Sequence, residues 1–132
     1  MILVDANVIL DILTDDPQWF DWSADQLVAQ ADEILNINPI IYAELCAGFR
    51  DADELEAQLA SWNLRRLPLP YEAAFPASHA YVRYRNRGGT KTSPLPDFYI
   101  GAHAQIGGMT LLTRDTQRYE SYFPDVPLIS PD

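Results

Sequence analysis

The sequence predicts an α/β fold, a three-layer α/β/α sandwich around a mostly parallel sheet of four to five strands. Three observations predict it. Short apolar runs alternate with longer helical segments, helix starts are marked by cap-plus-proline signals, and no repeat or low-complexity linker divides the 132 residues. Strands that alternate with helices form parallel sheets covered on both faces. At this length we expect one domain over residues 1–132.

The first half of the chain predicts two strands and four helices. Asp16-Pro17 and Asn38-Pro39 each combine a side chain that caps a helix N-terminus with a proline, which has no N–H to leave unsatisfied. Each pair therefore predicts a helix start. The predicted elements are a strand over 2–4, a helix over 7–13, a helix from Asp16 to Ala31, a strand over 34–38, a helix opening at Asn38-Pro39 and an amphipathic helix over 51–62.

The second half predicts three strands and two helices. Pro76 lies inside the first of these helices and is expected to bend it or to mark a later start. Gly107-Gly108 follows the second helix and closes it. The predicted elements are a strand over 65–69, a helix over 71–87, a loop over 88–96, a helix over 97–106, and strands over 109–113 and 126–129.

The composition excludes several classes of protein. Nine Lys and Arg against 19 Asp and Glu give a formal net charge of −10 and a pI of about 4.4, which argues against a protein that holds nucleic acid mainly by charge. No apolar run approaches the roughly 18 residues that span a bilayer. No basic segment precedes the apolar start, as it would in a signal peptide. We therefore expect a cytoplasmic protein without membrane association.

Cysteine and histidine metal chemistry is not expected. The single cysteine, Cys46, cannot form an internal disulfide or a thiolate zinc site. His79 and His103 lie far apart along the chain and outside any ligand spacing. An acidic site neutralised by a bound cation remains compatible with the composition, because the ion can be the largest local charge.

Four carboxylates stand where a site would form. Asp5 and Asp115 follow strands that are apolar throughout, which places them at the carboxyl edge of the sheet, where open α/β proteins bind ligands. Glu44 has only apolar and small residues three and four positions away on its helix, and no Lys or Arg lies near it in the sequence. Burying it would therefore require a cation. Asp97 opens a helix whose small residues allow close packing near the same edge.

Each carboxylate also has a purely structural explanation. Asp5 and Asp97 could cap the helices that follow them, and Asp115 could serve only its turn. Glu44 is the hardest to explain in this way, because a buried unpaired glutamate is rare. Together the four predict a site for one or two Mg²⁺ ions, which prefer oxygen ligands, polarise a phosphodiester and activate water. Without metal, the like charges predict raised pKa values.

Four short motifs resemble those of a known family. In chain order they are Val4-Asp5-Ala6-Asn7-Val8, Tyr42-Ala43-Glu44-Leu45, Pro96-Asp97-Phe98-Tyr99-Ile100-Gly101-Ala102-His103-Ala104 and Leu112-Thr113-Arg114-Asp115. With them the chain resembles a PIN domain over essentially its whole length, and specifically a VapC-type toxin of a type II toxin–antitoxin pair. The resemblance implies the PIN-like fold and a Mg²⁺- or Mn²⁺-dependent endoribonuclease.

The resemblance also implies roles for residues and partners. The acidic quartet of the family, catalytic and metal-binding, falls on Asp5, Glu44, Asp97 and Asp115. Two further residues, Asn7 and Thr113, would support the site. The implied partners are an RNA substrate, a cognate antitoxin and a second copy of the chain in a homodimer. Operator DNA would be contacted only through the antitoxin.

A basic cluster lies between the second and third of these motifs. Four of the nine positive charges fall within nine positions: Arg83, Arg85, Arg87 and Lys91. We expect them to contact substrate phosphates beside the metal site. The alternative is a solvated helix end, whose cations interact favourably with the helix C-terminus.

Two other functions stay open at this point. Asp5-Ala6-Asn7-Val8 partly resembles the Asp-x-Asp motif of haloacid-dehalogenase-type phosphatases, although Asn7 stands where that motif has its acid. The chain could also be a non-catalytic module that only binds its antitoxin. A growth test with and without an intact quartet separates catalysis from binding.

Overall fold

A computed structural model describes residues 1–131, and its centre is a parallel sheet of five short strands. The strands are β1 (Ile2–Val4), β2 (Leu35–Ile37), β3 (Leu64–Arg66), β4 (Thr110–Leu112) and β5 (Leu128–Ile129). Their order across the sheet is β3-β2-β1-β4-β5, and every neighbouring pair is parallel. The predicted α/β fold is therefore confirmed. The two strands that Asp5 and Asp115 follow are neighbours at its centre.

Seven α-helices connect the strands in the described part of the chain. They are α1 (Ala6–Leu13), α2 (Phe20–Ala29), α3 (Pro39–Cys46), α4 (Ala52–Leu59), α5 (Ala74–Asn86), α6 (Pro96–Gly107) and α7 (Gln117–Tyr122). A 3₁₀ helix over Tyr71–Ala73 leads into α5, so Pro76 lies in the first α-helical turn, where proline is tolerated. Over residues 1–131, none of the helices is both long enough and apolar enough to cross a bilayer.

Two helices begin where the sequence predicts them. Asn38 Oδ1 accepts a hydrogen bond from the backbone N–H of Ile41 at 2.9 Å, and Pro39 opens α3. Asp51 Oδ1 accepts from the backbone N–H of Glu54 at 2.9 Å and caps α4. These bonds satisfy N–H groups that a helix N-terminus otherwise leaves without a partner.

Two expectations about helices were wrong. Asp16 does not start α2, because its Oδ1 accepts from the N–H groups of Gln18 and Trp19 and closes a turn, and the helix begins at Phe20. The segment between β4 and β5 carries no predicted helix, yet α7 spans Gln117–Tyr122. Six residues are too few to show a helical period, and this helix is held by packing against α6.

The small residues of α6 allow the close packing that the sequence predicts. A Cβ at Gly101 would overlap the aromatic ring of Phe123, which follows α7. Phe98 and Ile100 are fully buried on the same helix. Close contact between α6 and the end of α7 holds the first turn of α6, which carries Asp97, beside α7.

An ion pair between the half-buried Arg114 and the buried Asp11 ties the segment after β4 to α1 and α2. Arg114 donates from Nε and Nη2 to Oδ2 and Oδ1 of Asp11 at 2.7 and 2.8 Å. Ser23 Oγ donates to Asp11 Oδ2 at 2.8 Å, and the Arg114 guanidinium lies over the Trp19 ring. Asp11 is buried, so this contact anchors the chain immediately before Asp115.

Replacing Arg114 with leucine is expected to destabilise the protein. The change leaves the buried Asp11 carboxylate with the Ser23 hydroxyl as its remaining side-chain donor, and removing one partner of a buried pair costs about 3 kcal/mol. Circular dichroism should show a Tm lower by roughly 10 °C. The double variant Asp11→Asn, Arg114→Leu should recover part of this loss. A single variant as stable as the parent would contradict the anchoring role.

Candidate active site

Asp5 stands where β1 ends and α1 begins, at the carboxyl edge of the sheet. Its Oδ1 accepts a hydrogen bond from the backbone N–H of Ala6 at 2.8 Å, so Asp5 caps α1. Its Oδ2 accepts from Thr113 Oγ1 at 2.9 Å and from the Tyr119 hydroxyl at 3.0 Å. The buried carboxylate therefore caps a helix with one oxygen and presents the other to two hydroxyl groups from the far end of the chain.

Asp97 is not a helix cap, so the structural explanation considered for it is excluded. Leu95 occupies the N-cap position of α6, and Asp97 lies inside the first turn. Its Oδ1 accepts from the Tyr119 hydroxyl at 3.3 Å, and its Oδ2 lies 4.0 Å from Arg118 Nε. Because the same hydroxyl reaches Asp5, the two carboxylates belong to one cluster.

Glu44 and Asp115 reach this cluster from α3 and from the segment after β4. Glu44 Oε1 is the one buried side-chain oxygen or nitrogen in residues 1–131 without a hydrogen-bond partner. The charges of Asp5 and Asp97 act on Glu44. Asp115 is exposed, donates its backbone N–H to Thr113 Oγ1 at 3.1 Å, and its charge acts on Asp97. The structure thus brings the four predicted carboxylates together.

The pKa values of the cluster reflect both burial and mutual repulsion. Burial, with the charge of Asp97 adding to it, raises the pKa of Asp5 to about 6. Burial and then the charges of Asp5 and Asp97 raise the pKa of Glu44 to about 7. Burial also raises the pKa of Asp97, although the nearby Arg118 guanidinium opposes the shift. The raised pKa values expected for gathered carboxylates are therefore present.

The cluster has the chemistry of a site for a hard dication. Its side chains offer oxygen atoms, which Mg²⁺ and Mn²⁺ prefer, and a cation would satisfy the unpartnered Glu44 Oε1. Among residues 1–131, no three His, Cys, Asp or Glu side chains stand close enough to coordinate one ion directly. Mg²⁺ keeps several waters in proteins, so one or two direct carboxylates suffice and the others act through water.

The two predicted supporting residues connect the parts of the cluster. Asn7 donates from Nδ2 to Thr113 Oγ1 at 3.2 Å and to Asp5 Oδ2 at 3.5 Å. Its Oδ1 accepts from the backbone N–H of Arg114 at 3.3 Å. The Asn7 amide is therefore engaged through both of its polar atoms. This arrangement does not favour the phosphatase alternative, in which this position supplies a free acid.

Sequence reasoning missed two residues of the site, and both lie on α7. Tyr119 is 1% exposed, and its hydroxyl group links Asp5 to Asp97. Arg118 is the cation nearest to Asp97. The one signal in the sequence was that they lie three and four positions after Asp115. This spacing would place them near Asp115 only if a helix begins directly after it.

Replacing Tyr119 with phenylalanine is expected to weaken metal binding without unfolding the protein. The ring keeps its packing, but Asp5 and Asp97 lose the donor that holds them together. Loss of such an outer partner typically weakens metal affinity by roughly 10- to 100-fold. Isothermal titration with Mn²⁺ measures this, and Tyr71→Phe, at a 95% exposed position, is the matched control. Equal Mn²⁺ affinity in the two variants would show that the hydroxyl has no such role.

The four predicted basic residues divide into two groups. The guanidinium carbons of Arg83 and Arg87 lie 5.9 and 4.9 Å from the centre of the Tyr122 ring. Arg83 Nη2 also donates to the Tyr122 carbonyl at 2.9 Å. Arg85 instead donates from Nη1 to the carbonyl of Lys91 at 2.9 Å, within the loop that follows α5. Arg83 and Arg87 therefore lie beside α7, whereas Arg85 and Lys91 lie at the loop after α5.

A polar cleft opens beside Asp97 and Asp115. Its volume is about 270 Å³, and its lining residues are Tyr84, Asp97, Asp115, Gln117, Arg118, Ser121 and Tyr122. Asp5 and Glu44 do not line it. The cleft therefore gives a ligand from solvent direct access to the Asp97 and Asp115 side of the cluster.

Comparisons with known proteins find relatives over nearly the whole chain. Residues 2–123 match the family model of the PIN domain. The plasmid stability protein StbB of Pseudomonas syringae pv. tomato is 30% identical and covers 92% of this chain and 92% of its own length. FitAcB from Neisseria gonorrhoeae is similar in structure, with a TM-score of 0.75, 26% identity and coverage of 99% of this chain and 98% of that one. VapBC2 from Rickettsia felis, bound to a DNA fragment from its promoter, has a TM-score of 0.76, 20% identity and full coverage of both chains.

Proposed function

The chain belongs to the PIN domain family, and from this membership and the acidic cluster we propose that it is a metal-dependent endoribonuclease, the toxin of a toxin–antitoxin pair. The observation that carries the proposal is the convergence of Asp5, Glu44, Asp97 and Asp115 at one edge of the sheet. The oxygen ligands favour Mg²⁺, with Mn²⁺ as the alternative.

The positions of the side chains suggest different roles in binding a metal ion. Asp5 and Asp97 would be the direct ligands, and Glu44 and Asp115 would contribute directly or through water. A bound dication supplies Lewis acidity toward the phosphodiester and activates water. Thr113 keeps Asp5 oriented by its hydrogen bond, so this carboxylate needs little rearrangement on binding.

The proposed substrate contacts are the basic residues near the cluster. We propose that Arg83, Arg85, Arg87 and Lys91 attract the RNA backbone toward an otherwise acidic molecule, because the chain carries a net charge of −10. Their exposure leaves them accessible to phosphates.

The proposed protein partners are an antitoxin and a second copy of the chain. Related structures are VapBC and FitAB assemblies, one of them on promoter DNA, which supports an antitoxin through which operator DNA is reached. Tyr71, Phe75 and Val82 are 95%, 71% and 51% exposed along the 3₁₀ helix and α5. An exposed apolar stripe of this kind supports the homodimer. Light scattering after size exclusion tests it.

The test of the proposed activity is RNA cleavage by the purified chain, freed from any antitoxin. We expect shorter RNA fragments with Mg²⁺ or Mn²⁺ and intact RNA with EDTA, and sequencing of the fragment ends identifies the cut site. Cleavage that persists in EDTA would contradict the role of the metal. Absence of cleavage with either metal, in a protein that still binds its antitoxin, would favour the non-catalytic alternative. An aspartyl-phosphate trapped at Asp5 would favour the phosphatase.

A further inference from the structure

A buried asparagine and a buried histidine connect the two helices that carry Glu44 and Asp97. Asn38 is the N-cap residue of α3, and His103 lies inside α6. The distance between Asn38 Nδ2 and His103 Nδ1 is 2.9 Å. Among the described residues, 1–131, this is the one side-chain hydrogen bond that joins α3 or its cap to α6. It is therefore the polar connection between these two helices.

The amide of Asn38 can have only one orientation at this place. Its Oδ1 accepts a hydrogen bond from the backbone N–H of Ile41 and so caps α3, a bond that an NH2 group cannot accept. The NH2 group therefore faces His103 Nδ1, and because it only donates, Nδ1 is the acceptor. The hydrogen bonds thus require a neutral His103 with its proton on Nε2. Burial lowers the pKa of His103 below its usual value of 6.5, which favours this neutral form.

Glu44 depends on the placement of its helix more than Asp5 and Asp97 do. Asp5 accepts hydrogen bonds from Thr113 and Tyr119, and Asp97 accepts one from Tyr119. Glu44 Oε1 has no hydrogen-bond partner, so the position of this oxygen follows that of α3. The charges of Asp5 and Asp97 also act on Glu44. Without a bound cation, this repulsion between ionised carboxylates favours the separation of α3 from α6.

We propose that Asn38 and His103 are positioning residues of the metal site. Their hydrogen bond holds α3 against α6, so that Glu44 stays within reach of an ion held by Asp97. The bond is buried, where an amide NH2 group that loses its acceptor is costly, so it resists the repulsion between the carboxylates. The inference rests on the proposed metal-dependent function and deepens it, because it adds two residues that act on the site through their helices.

Three substitutions separate this connection from the helix cap. His103→Leu keeps the cap, because Asn38 Oδ1 still accepts from Ile41, but the NH2 group loses its acceptor. Asn38→Ser breaks the connection from the other side, because serine is a good N-cap residue and its short side chain carries no NH2 group. His103→Asn restores the connection, because its Oδ1 is attached to Cγ, as Nδ1 is in histidine, and accepts hydrogen bonds.

The experiment measures Mn²⁺ affinity by isothermal titration at neutral pH and well below the Tm. His103→Leu and Asn38→Ser should each bind Mn²⁺ roughly tenfold more weakly than the parent chain, as when a contact behind metal ligands is lost. His103→Asn should recover most of the affinity. Because two variants break the connection independently, the measurement survives if one of them does not fold.

Two further variants are controls for effects unrelated to the connection. Asp51→Ala removes the cap of α4, a helix that carries no residue of the site. It should lower the Tm by several degrees and leave Mn²⁺ affinity unchanged. His79→Leu makes the histidine-to-leucine change at an exposed position of α5 and should bind Mn²⁺ like the parent chain.

The parent chain supplies a readout that needs no variant. Chemical shifts of the imidazole nitrogens, measured by NMR at neutral pH, should show His103 Nε2 protonated and Nδ1 unprotonated. A proton on Nδ1 would overturn the proposed connection. Mn²⁺ affinity that is unchanged in His103→Leu and Asn38→Ser would overturn the positioning role. So would an equal weakening in Asp51→Ala, because the loss would then follow from stability alone.

The outcomes also distinguish this inference from the proposed activity. If the parent chain cuts RNA and His103→Leu binds Mn²⁺ normally, the positioning role is wrong and the ribonuclease stands. If the parent chain binds Mn²⁺ without cutting RNA, and His103→Leu binds it more weakly, the activity is wrong and the connection stands. A parent chain that binds no Mn²⁺ would overturn both. In a chain that cuts RNA, His103→Leu at limiting Mn²⁺ should lower kcat/KM, and added Mn²⁺ should restore it.

Discussion

Purified protein carrying Asp5→Asn is expected to keep its fold and to lose RNA cleavage by about a thousandfold or more. Asparagine keeps the size of the side chain, and its Oδ1 can still accept the hydrogen bond from the N–H of Ala6 that starts α1. What changes is the Oδ2 side, where the charge is lost and an NH2 group, which only donates, replaces the oxygen that accepts from Thr113 and Tyr119. A dication loses one direct ligand there, while the helix cap survives.

Fold and activity therefore respond differently to this substitution. At about pH 8, where the buried carboxylate is ionised in the parent, the metal-free variant should lose little stability, because removing a charge whose burial is unfavourable offsets the loss of the hydrogen bonds from Thr113 and Tyr119. Asp32→Asn, at an exposed position, changes the net charge identically and should cut RNA like the parent. Undiminished cleavage by Asp5→Asn, or loss of cleavage accompanied by unfolding, would remove Asp5 from the proposed catalytic set.

The parts of the site that could be predicted from sequence are those fixed by local order along the chain. Asp5 directly follows an apolar strand, and the residues three and four positions from Glu44 on its helix are apolar or small. Strand ends and helix neighbours are local properties, so the sequence alone predicts that these carboxylates belong to a site. The (i, i+4) relation between Arg83 in α5 and Arg87 at its C-cap was equally accessible, and both arginines lie over Tyr122.

The contacts that join the site depend on sheet order and on tertiary packing, which are not local. Thr113 reaches Asp5 across 108 positions because β4 is hydrogen-bonded to β1. Tyr119 enters the cluster from a six-residue helix whose sequence has no visible period. A local signal can also mislead. The Asp16 side chain does accept backbone N–H groups, as a capping residue would, but it closes a turn, and the helix begins four residues later. Which hydrogen bonds link the carboxylates could therefore be read only from the structure.

Without metal, the protein is expected to lose stability as the pH rises through neutrality. The pKa of Asp5 is raised from 3.8 to about 6 and that of Glu44 from 4.5 to about 7, so the folded state binds these protons more tightly than the unfolded chain does. This contribution is fully present below about pH 4 and is lost as the pH rises through about 6 to 7. Thermal unfolding in EDTA should give a Tm several degrees lower at about pH 8 than at about pH 5.5.

Mg²⁺ should reverse this loss, because a dication replaces the protons that the carboxylates give up. At about pH 8 a saturating concentration should raise the Tm by about 5 °C or more, and at about pH 5.5 the rise should be much smaller. Glu44→Gln should diminish both effects. Its neutral amide removes the carboxylate that repels Asp5 and Asp97, so the metal-free variant should be more stable than the parent at the higher pH, yet respond less to Mg²⁺.

In Glu44→Gln, stability without metal should rise while the stabilisation by Mg²⁺ should fall. These opposite changes distinguish a metal site from an acidic cluster that serves only the fold. A substitution in a structural cluster would lower stability, or leave it unchanged, without altering the response to Mg²⁺. Glu72→Gln supplies the comparison, because Glu72 is exposed and its substitution alters the net charge by the same amount. If Glu44→Gln and Glu72→Gln gave the same Tm in EDTA and the same rise with Mg²⁺, the unpartnered Glu44 oxygen would have no part in binding the ion. The quartet would then reduce to the three aspartates.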